Sequence, residues 1–181
     1  NQTTELQAPE LLSHSATAEA MNTRGLNHLS AGRNDLAESD FKSAIALDSS
    51  FAAPWSNLVN CQRDMGKSDE AVDTAQAAIS RGIESADLYN NYGSTLFGLG
   101  QFEFALNAFK KALIINPSHS VAQLNILKSY FCLKQPFNAI DYAGKIQLPE
   151  RIETALLLAI IGVTYKNGND SLFAICIHKL L

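Results

Sequence analysis

Alanine returns at positions 37, 71, 105 and 139, each 34 residues after the last, and other residue types return in step with it. Glycine falls at Gly32, Gly66 and Gly100, and a bulky side chain at Met21, Trp55 and Tyr89. One short helix pair cannot bury its apolar face alone, so a fixed period of this size means an array of stacked helix pairs. The expected class is all-α.

The unit 52–85 shows how each pair is written. Pro54 is tolerated in a first helical turn, and Trp55, Leu58, Val59 and Gln62 follow at helical spacing, which predicts a first helix ending near Met65. Gly66 supplies the left-handed stop. Ser68 is then the expected N-cap of a second helix, with Asp69 and Glu70 favourable in its first turn. Ala71, Ala75, Ala78 and Ile79 form a stripe that lets the two helices approach closely. In 86–119 the stripes are Tyr89, Tyr92, Gly93 and Leu96, then Phe104, Ala105, Ala108, Phe109, Ala112 and Leu113, with Pro117 breaking the second helix. In 18–51 they are Met21, Gly25 and His28, then Leu36, Ala37, Phe41, Ala44 and Ile45. In 120–148, Gln123, Ile126, Leu127 and Tyr130 precede a turn at 134–136, then Ala139, Tyr142, Ala143 and Ile146.

Tyr89, Tyr92–Gly93, Gly100, Ala105, Phe109, Ala112 and Pro117 together resemble the pattern of the tetratricopeptide repeat family. Ala75 and Ala143 depart from it where phenylalanine is usual, Ile83 where proline is, and Lys134 at the turn glycine. These departures are expected to loosen single packing contacts without disturbing the period. The resemblance implies a right-handed α-solenoid of helix-turn-helix hairpins, with four clear repeats at 18–51, 52–85, 86–119 and 120–148. A degenerate fifth is expected over 149–181. Its second helix, 172–181, is apolar almost all round (Leu172, Phe173, Ala174, Ile175, Cys176, Ile177, Leu180, Leu181), and such a helix is usually buried. It is either an ordinary packed last helix or a contact with a partner, a second copy or the N-terminal arm.

Residues 1–17 are polar with little periodicity and read as a linker or loosely docked arm. With a start on Asn1, they fit a secreted or lipid-anchored envelope protein and a truncated cytosolic one equally well. No apolar run reaches the roughly 18 residues of a membrane span, and a lipid anchor upstream stays open. Net charge is -4 and no basic, aromatic-interleaved run occurs, which argues against nucleic acid as a partner.

Catalytic chemistry is not expected. Gly66–Lys67–Ser68 echoes the end of a phosphate-binding loop, but Cys61 stands where the earlier glycine is required and a helix precedes it. His14, His28, His119 and His178 have no carboxylate or cysteine at ligand spacing, so neither metal nor cofactor is expected. Cys61, Cys132 and Cys176 read as small buried hydrophobes. The first two fall two repeats apart, about 20 Å at the usual helix spacing, too far for a disulfide.

In the family resembled, the first helices of successive repeats line a concave groove that receives peptides or partner helices. That implication selects Asn57, Asn91 and Asn125, again 34 apart, whose amides could pair with a partner's main chain. Beside them fall Asn22 and Asn90, then Asn60, Ser94 and Lys128, and nearer the helix ends Arg63, Phe97 and Phe131. Charge along this strip is mixed, with Asp87 where a carboxylate-clamping member would carry a basic cluster. The expected function is therefore a non-catalytic scaffold binding a protein or peptide, by an internal segment or a helix rather than a chain end. Two alternatives stay open: a periplasmic, outer-membrane-anchored lipoprotein assisting pilus or secretin assembly, and the recruitment module of a larger enzyme.

Overall fold

The computed structural model describes residues 8–146, with side chains from residue 17 onward. Among these it is all-helical: α1 (Ala8–Ser30), α2 (Asn34–Leu47), α3 (Ala52–Asp64), α4 (Ser68–Ser80), α5 (Ala86–Gly98), α6 (Phe102–Ile115), α7 (Ser120–Cys132) and α8 (Pro136–Ala143). Residues 1–7 of the expected arm, and the expected fifth repeat with its apolar stretch 172–181, lie outside the described residues. The rest of that arm is helical. Helix α1 begins at Ala8, ten residues before the first repeat boundary, with the helix formers Ala8, Glu10, Leu11, Leu12 and Ala16 and with Pro9 in the first turn, where no N–H is missed.

Two compact units divide after Ala122. In the first, each helix packs on its successor, and α3 also packs on α1 and on α5. The buried clusters cross the repeat boundaries. Ala37 and Phe41 of α2 pack with Leu58 and Cys61 of α3, while Trp55 and Val59 of α3 and Ala71, Ala75 and Ala78 of α4 pack with Leu88 of α5. Each hairpin thus covers the apolar flank of the one before it, as a stacked array requires. The second unit contains α8 and most of α7, with the Tyr130 and Tyr142 rings 6.2 Å apart.

The turn at Gly66–Lys67–Ser68 is a repeat turn and not a phosphate cradle. Gly66 takes φ +77 and its N–H donates to the Arg63 carbonyl, while the Lys67 N–H donates to that of Gln62. This is the six-to-one closure of a helix end. Because the turn is that tight, the cap position falls on Lys67, without a side-chain cap bond, and the expected cap Ser68 is already helical. Lys134 adopts the same left-handed conformation, φ 56, where the register asks for glycine.

Three expected packing residues lie outside the core. Leu36 is 50% exposed and Phe104 67%, because the buried stripe of each second helix runs one residue further on, through Ala37, Phe41 and Ala44 and through Ala105, Phe109 and Ala112. Cys61 is buried and donates its Sγ–H to the Asn34 carbonyl, but Cys132, at the end of α7, is exposed.

Candidate interaction face

Helices α1, α3 and α5 present equivalent positions because the 34-residue period places them in register. Their amides are tied to one another. Asn57 Nδ2 on α3 donates to Asn22 Oδ1 on α1 at 2.8 Å, and Asn91 Nδ2 on α5 donates to the Ser56 carbonyl on α3 at 3.0 Å. Asn90 Nδ2 reaches Asn91 Oδ1 at 3.5 Å, and both Asn22 and Asn90 are 8% exposed. The asparagines therefore lace the first helices of three successive repeats together. An amide nitrogen has two hydrogens, so Asn57 and Asn91 each spend one in the lacing and keep a second, held in a fixed orientation.

Charge on this face is cancelled locally. Arg63 donates to Asn60 Oδ1 at 2.5 Å and to Asp64 Oδ1 at 3.0 Å, and Asn60 Nδ2 donates to Asp64 Oδ2 at 3.2 Å. Asp64 is one of the acids that mix the charge of the strip, and it closes this network with Arg63 and Asn60. Phe97 is half-buried and meets Phe102 edge-on, ring centroids 5.0 Å apart, so it is anchored within its own repeat. Ser94 is half-buried and Leu26 is 42% exposed. Asn125, Lys128 and Phe131 lie on α7 in the second unit, with Lys128 exposed and the other two half-buried.

Sequence reasoning passed over a buried ionic knot on α2. Glu38, 6% exposed, receives Lys42 at 2.7 Å, Lys67 at 2.8 Å and Gln62 Nε2 at 3.3 Å, and Thr74 donates to the other end of Gln62 at 2.8 Å. Burial pushes the Glu38 carboxyl up, but these three donors outweigh it and hold it at about 2. A signal existed: the positions in register with Glu38 are Val72, Leu106 and Ile140, so an acid stands where the array is apolar. Nearby, Asp40 accepts both Arg24 Nε, at 2.9 Å, and Arg24 Nη2. These groups join helices. No cluster of three metal-ligating side chains occurs among the described residues.

Residues 86–119 match the family model of the tetratricopeptide repeat, the unit with Gly93 under Phe109 and Gly100 at the turn. The chain carries the tetratricopeptide repeat. Over 114 residues it is 26% identical to the small glutamine-rich tetratricopeptide repeat-containing protein 2 of Mycosarcoma maydis, covering 63% of this chain and 32% of that one. The chain thus spans about a third of the length of that curated relative. Among solved structures it is similar to pilF of Pseudomonas aeruginosa, at 21% identity and TM-score 0.72, over 91% of this chain and 78% of that one. It is also similar to YrrB, described as a tetratricopeptide repeat protein with an unusual peptide-binding site, at 18% identity and TM-score 0.70, over 88% and 82%. At such identities the solved structures speak for the repeat fold. Tetratricopeptide repeats of this kind are scaffolds for protein interaction.

Proposed function

We propose that the chain is a non-catalytic scaffold that holds an extended segment or helix of a partner protein along the face made by α1, α3 and α5. The observation that carries this is the lacing of Asn22, Asn57 and Asn91. Amides fixed by one hydrogen bond and offering a second donor are pre-organised for a main chain, so less ordering is lost on binding. Arg63 is neutralised by Asp64, which leaves no cationic clamp for a terminal carboxylate within this strip and favours an internal segment. Leu26 and Phe97 add apolar contact at its edges.

Ser94→Arg and Leu26→Glu test the reading, since neither removes a bond that laces the helices. A photo-crosslinking residue at Ser94 in the full chain, expressed in its native source, should form one dominant adduct. The adduct should disappear with Leu26→Glu and persist with a control change on α4, Asp73→Asn. An adduct indifferent to Leu26→Glu, or none at all, would reject this face.

A second reading, an outer-membrane-anchored lipoprotein assisting pilus or secretin assembly, draws on the likeness in fold to pilF. It expects the native protein to sediment with outer membranes and to take up labelled palmitate. Recovery in a soluble fraction without label would remove it.

A further inference from the structure

Repeat 86–119 differs from its neighbour on the face away from the laced asparagines. In register with Phe104 and Ile114 of α6, repeat 52–85 has Glu70 and Ser80, polar side chains suited to a solvated position. Phe104 is 67% exposed and Ile114 73%, the two most exposed of the large apolar side chains among the described residues. They flank an open groove of about 390 Å³ whose floor is formed by Tyr89, Tyr92 and Leu96 of α5. Scattered apolar side chains on a surface mean little, but two such residues framing a concave apolar floor mark an interaction site.

The rim carries a sign. Lys110 and Lys111 line the groove and no acidic residue does, whereas a smaller groove between α2, α3 and α4 is lined by Lys42 and Asp73 together. Where Asp73 stands there, Asn107 stands here. A chain of net charge -4 thus has a locally cationic edge around an apolar floor. A second copy would bring the same negative net charge, so self-association has less to recommend it than a complementary partner.

We propose that the α5–α6 groove is a second docking surface, separate from the laced face, for a protein segment that pairs a bulky apolar side chain with adjacent carboxylates. The apolar side chain lies between Phe104 and Ile114 on the tyrosine floor, and a carboxylate meets Lys111 at the rim. Repeat 86–119 would then contribute to two surfaces, letting the scaffold join two partners.

The probe is a short fluorescein-labelled peptide with a central Leu-Phe pair flanked by glutamates, followed by anisotropy against the full chain. Saturable binding is expected, weakened roughly tenfold or more by Phe104→Ser or Ile114→Ser, as for a central apolar anchor. Lys111→Glu should weaken it too, and added salt should act the same way. These positions are exposed, so far-UV circular dichroism of each variant should match the parent. Ser94→Arg should leave the binding unchanged, which separates failure of this groove from failure of the laced face. The proposal is overturned by no saturable binding, by equal affinity in Phe104→Ser, or by a peptide with lysines for glutamates binding as well. A sedimenting dimer abolished by Phe104→Ser would assign the groove to a second copy instead, and so overturn it as well.

Discussion

The ring of Phe109 lies against the backbone of Gly93 so closely that a Cβ built there would sit 2.6 Å from the ring edge. Gly25 and Phe41 repeat the contact at the same 2.6 Å, one repeat skipped. In the repeat between them the sizes are exchanged: Val59 stands where the glycine would be and Ala75 where the phenylalanine would be, both fully buried in one cluster. The missing phenylalanine is therefore matched by a larger residue on the facing helix, volume having moved from the second helix to the first. Close-packed interiors tolerate such exchanges better than single changes of volume. Gly93→Ala should cost about 1–3 kcal/mol in urea unfolding. Ala75→Phe should cost a similar amount, and Val59→Gly with Ala75→Phe should cost less than the two single changes added together. Strict additivity in that cycle would contradict the exchange.

The Glu38 knot gives the fold a defined acid sensitivity. Its carboxyl is held at about 2, below an ordinary 4.5, so the folded state binds this proton less readily than the unfolded chain. The stabilisation is therefore complete above pH about 4.5 and is lost as pH falls from there through about 2. Lys42 and Lys67 are partly solvated, which trims the effect to an order of 1–3 kcal/mol. Unfolding free energy measured across that range should fall less steeply in Glu38→Gln than in the parent. Parallel pH profiles for the two proteins would sink the assignment.

The 34-residue period made the helices, their turns and the buried alanines legible, because each recurs and each has a local physical cause. Phe104 was misplaced since a helical stripe read from sequence blurs by one residue, and one residue on a helix is a rotation of about 100°. Arg63 was legible as a member of the strip but not as a neutralised one, because the side-chain geometry that pairs it with Asp64 is not written in spacing. Glu38 breaks the register as an acid among apolar positions, which marks it as unusual but does not name its partners Lys42, Lys67 and Gln62.

The asparagines illustrate the same limit and change what a mutation should do. Register placed Asn57 and Asn91 on one face and left their partners open; the structure spends one donor of each between helices. Asn57→Ala and Asn91→Ala should therefore each lower stability by about 0.5–1.5 kcal/mol even with no partner present. Ser94→Arg, on the same face but outside the lacing, should leave the melting temperature unchanged. If the three variants melt alike, the hydrogen bonds contribute nothing.

Lys134 occupies a left-handed conformation, φ 56, that costs a residue with a side chain about 1–2 kcal/mol relative to glycine. The local hydrogen bonds impose it, since the Lys134 N–H donates to the Phe131 carbonyl and the Gln135 N–H to that of Tyr130. Lys134→Gly relieves the strain but adds freedom to the unfolded chain, so a net gain of about 0.5–1 kcal/mol is expected. Slower amide exchange through α7 and α8 would register it. Faster exchange there would mean that the lysine side chain contributes more than its backbone strain removes.

The two described cysteines should differ in reactivity by a wide margin. Burial, and after it the negative charges of Glu38 and Asp64, push the Cys61 thiol up to about 11, while Cys132 is exposed at the end of α7. Only the thiolate attacks a disulfide reagent, so at mild alkaline pH Cys61 should react at least ~100-fold more slowly than Cys132. In a Cys176→Ser background, one thiol should titrate rapidly with an aromatic disulfide reagent, and Cys132→Ser should abolish that phase. The remaining thiol should appear only as urea unfolds the first unit, making Cys61 a reporter of the α2–α3 contact that Phe41 and Leu58 share with it. Rapid labelling of Cys61 in native buffer would place that contact in exchange with an open form and overturn its description as core.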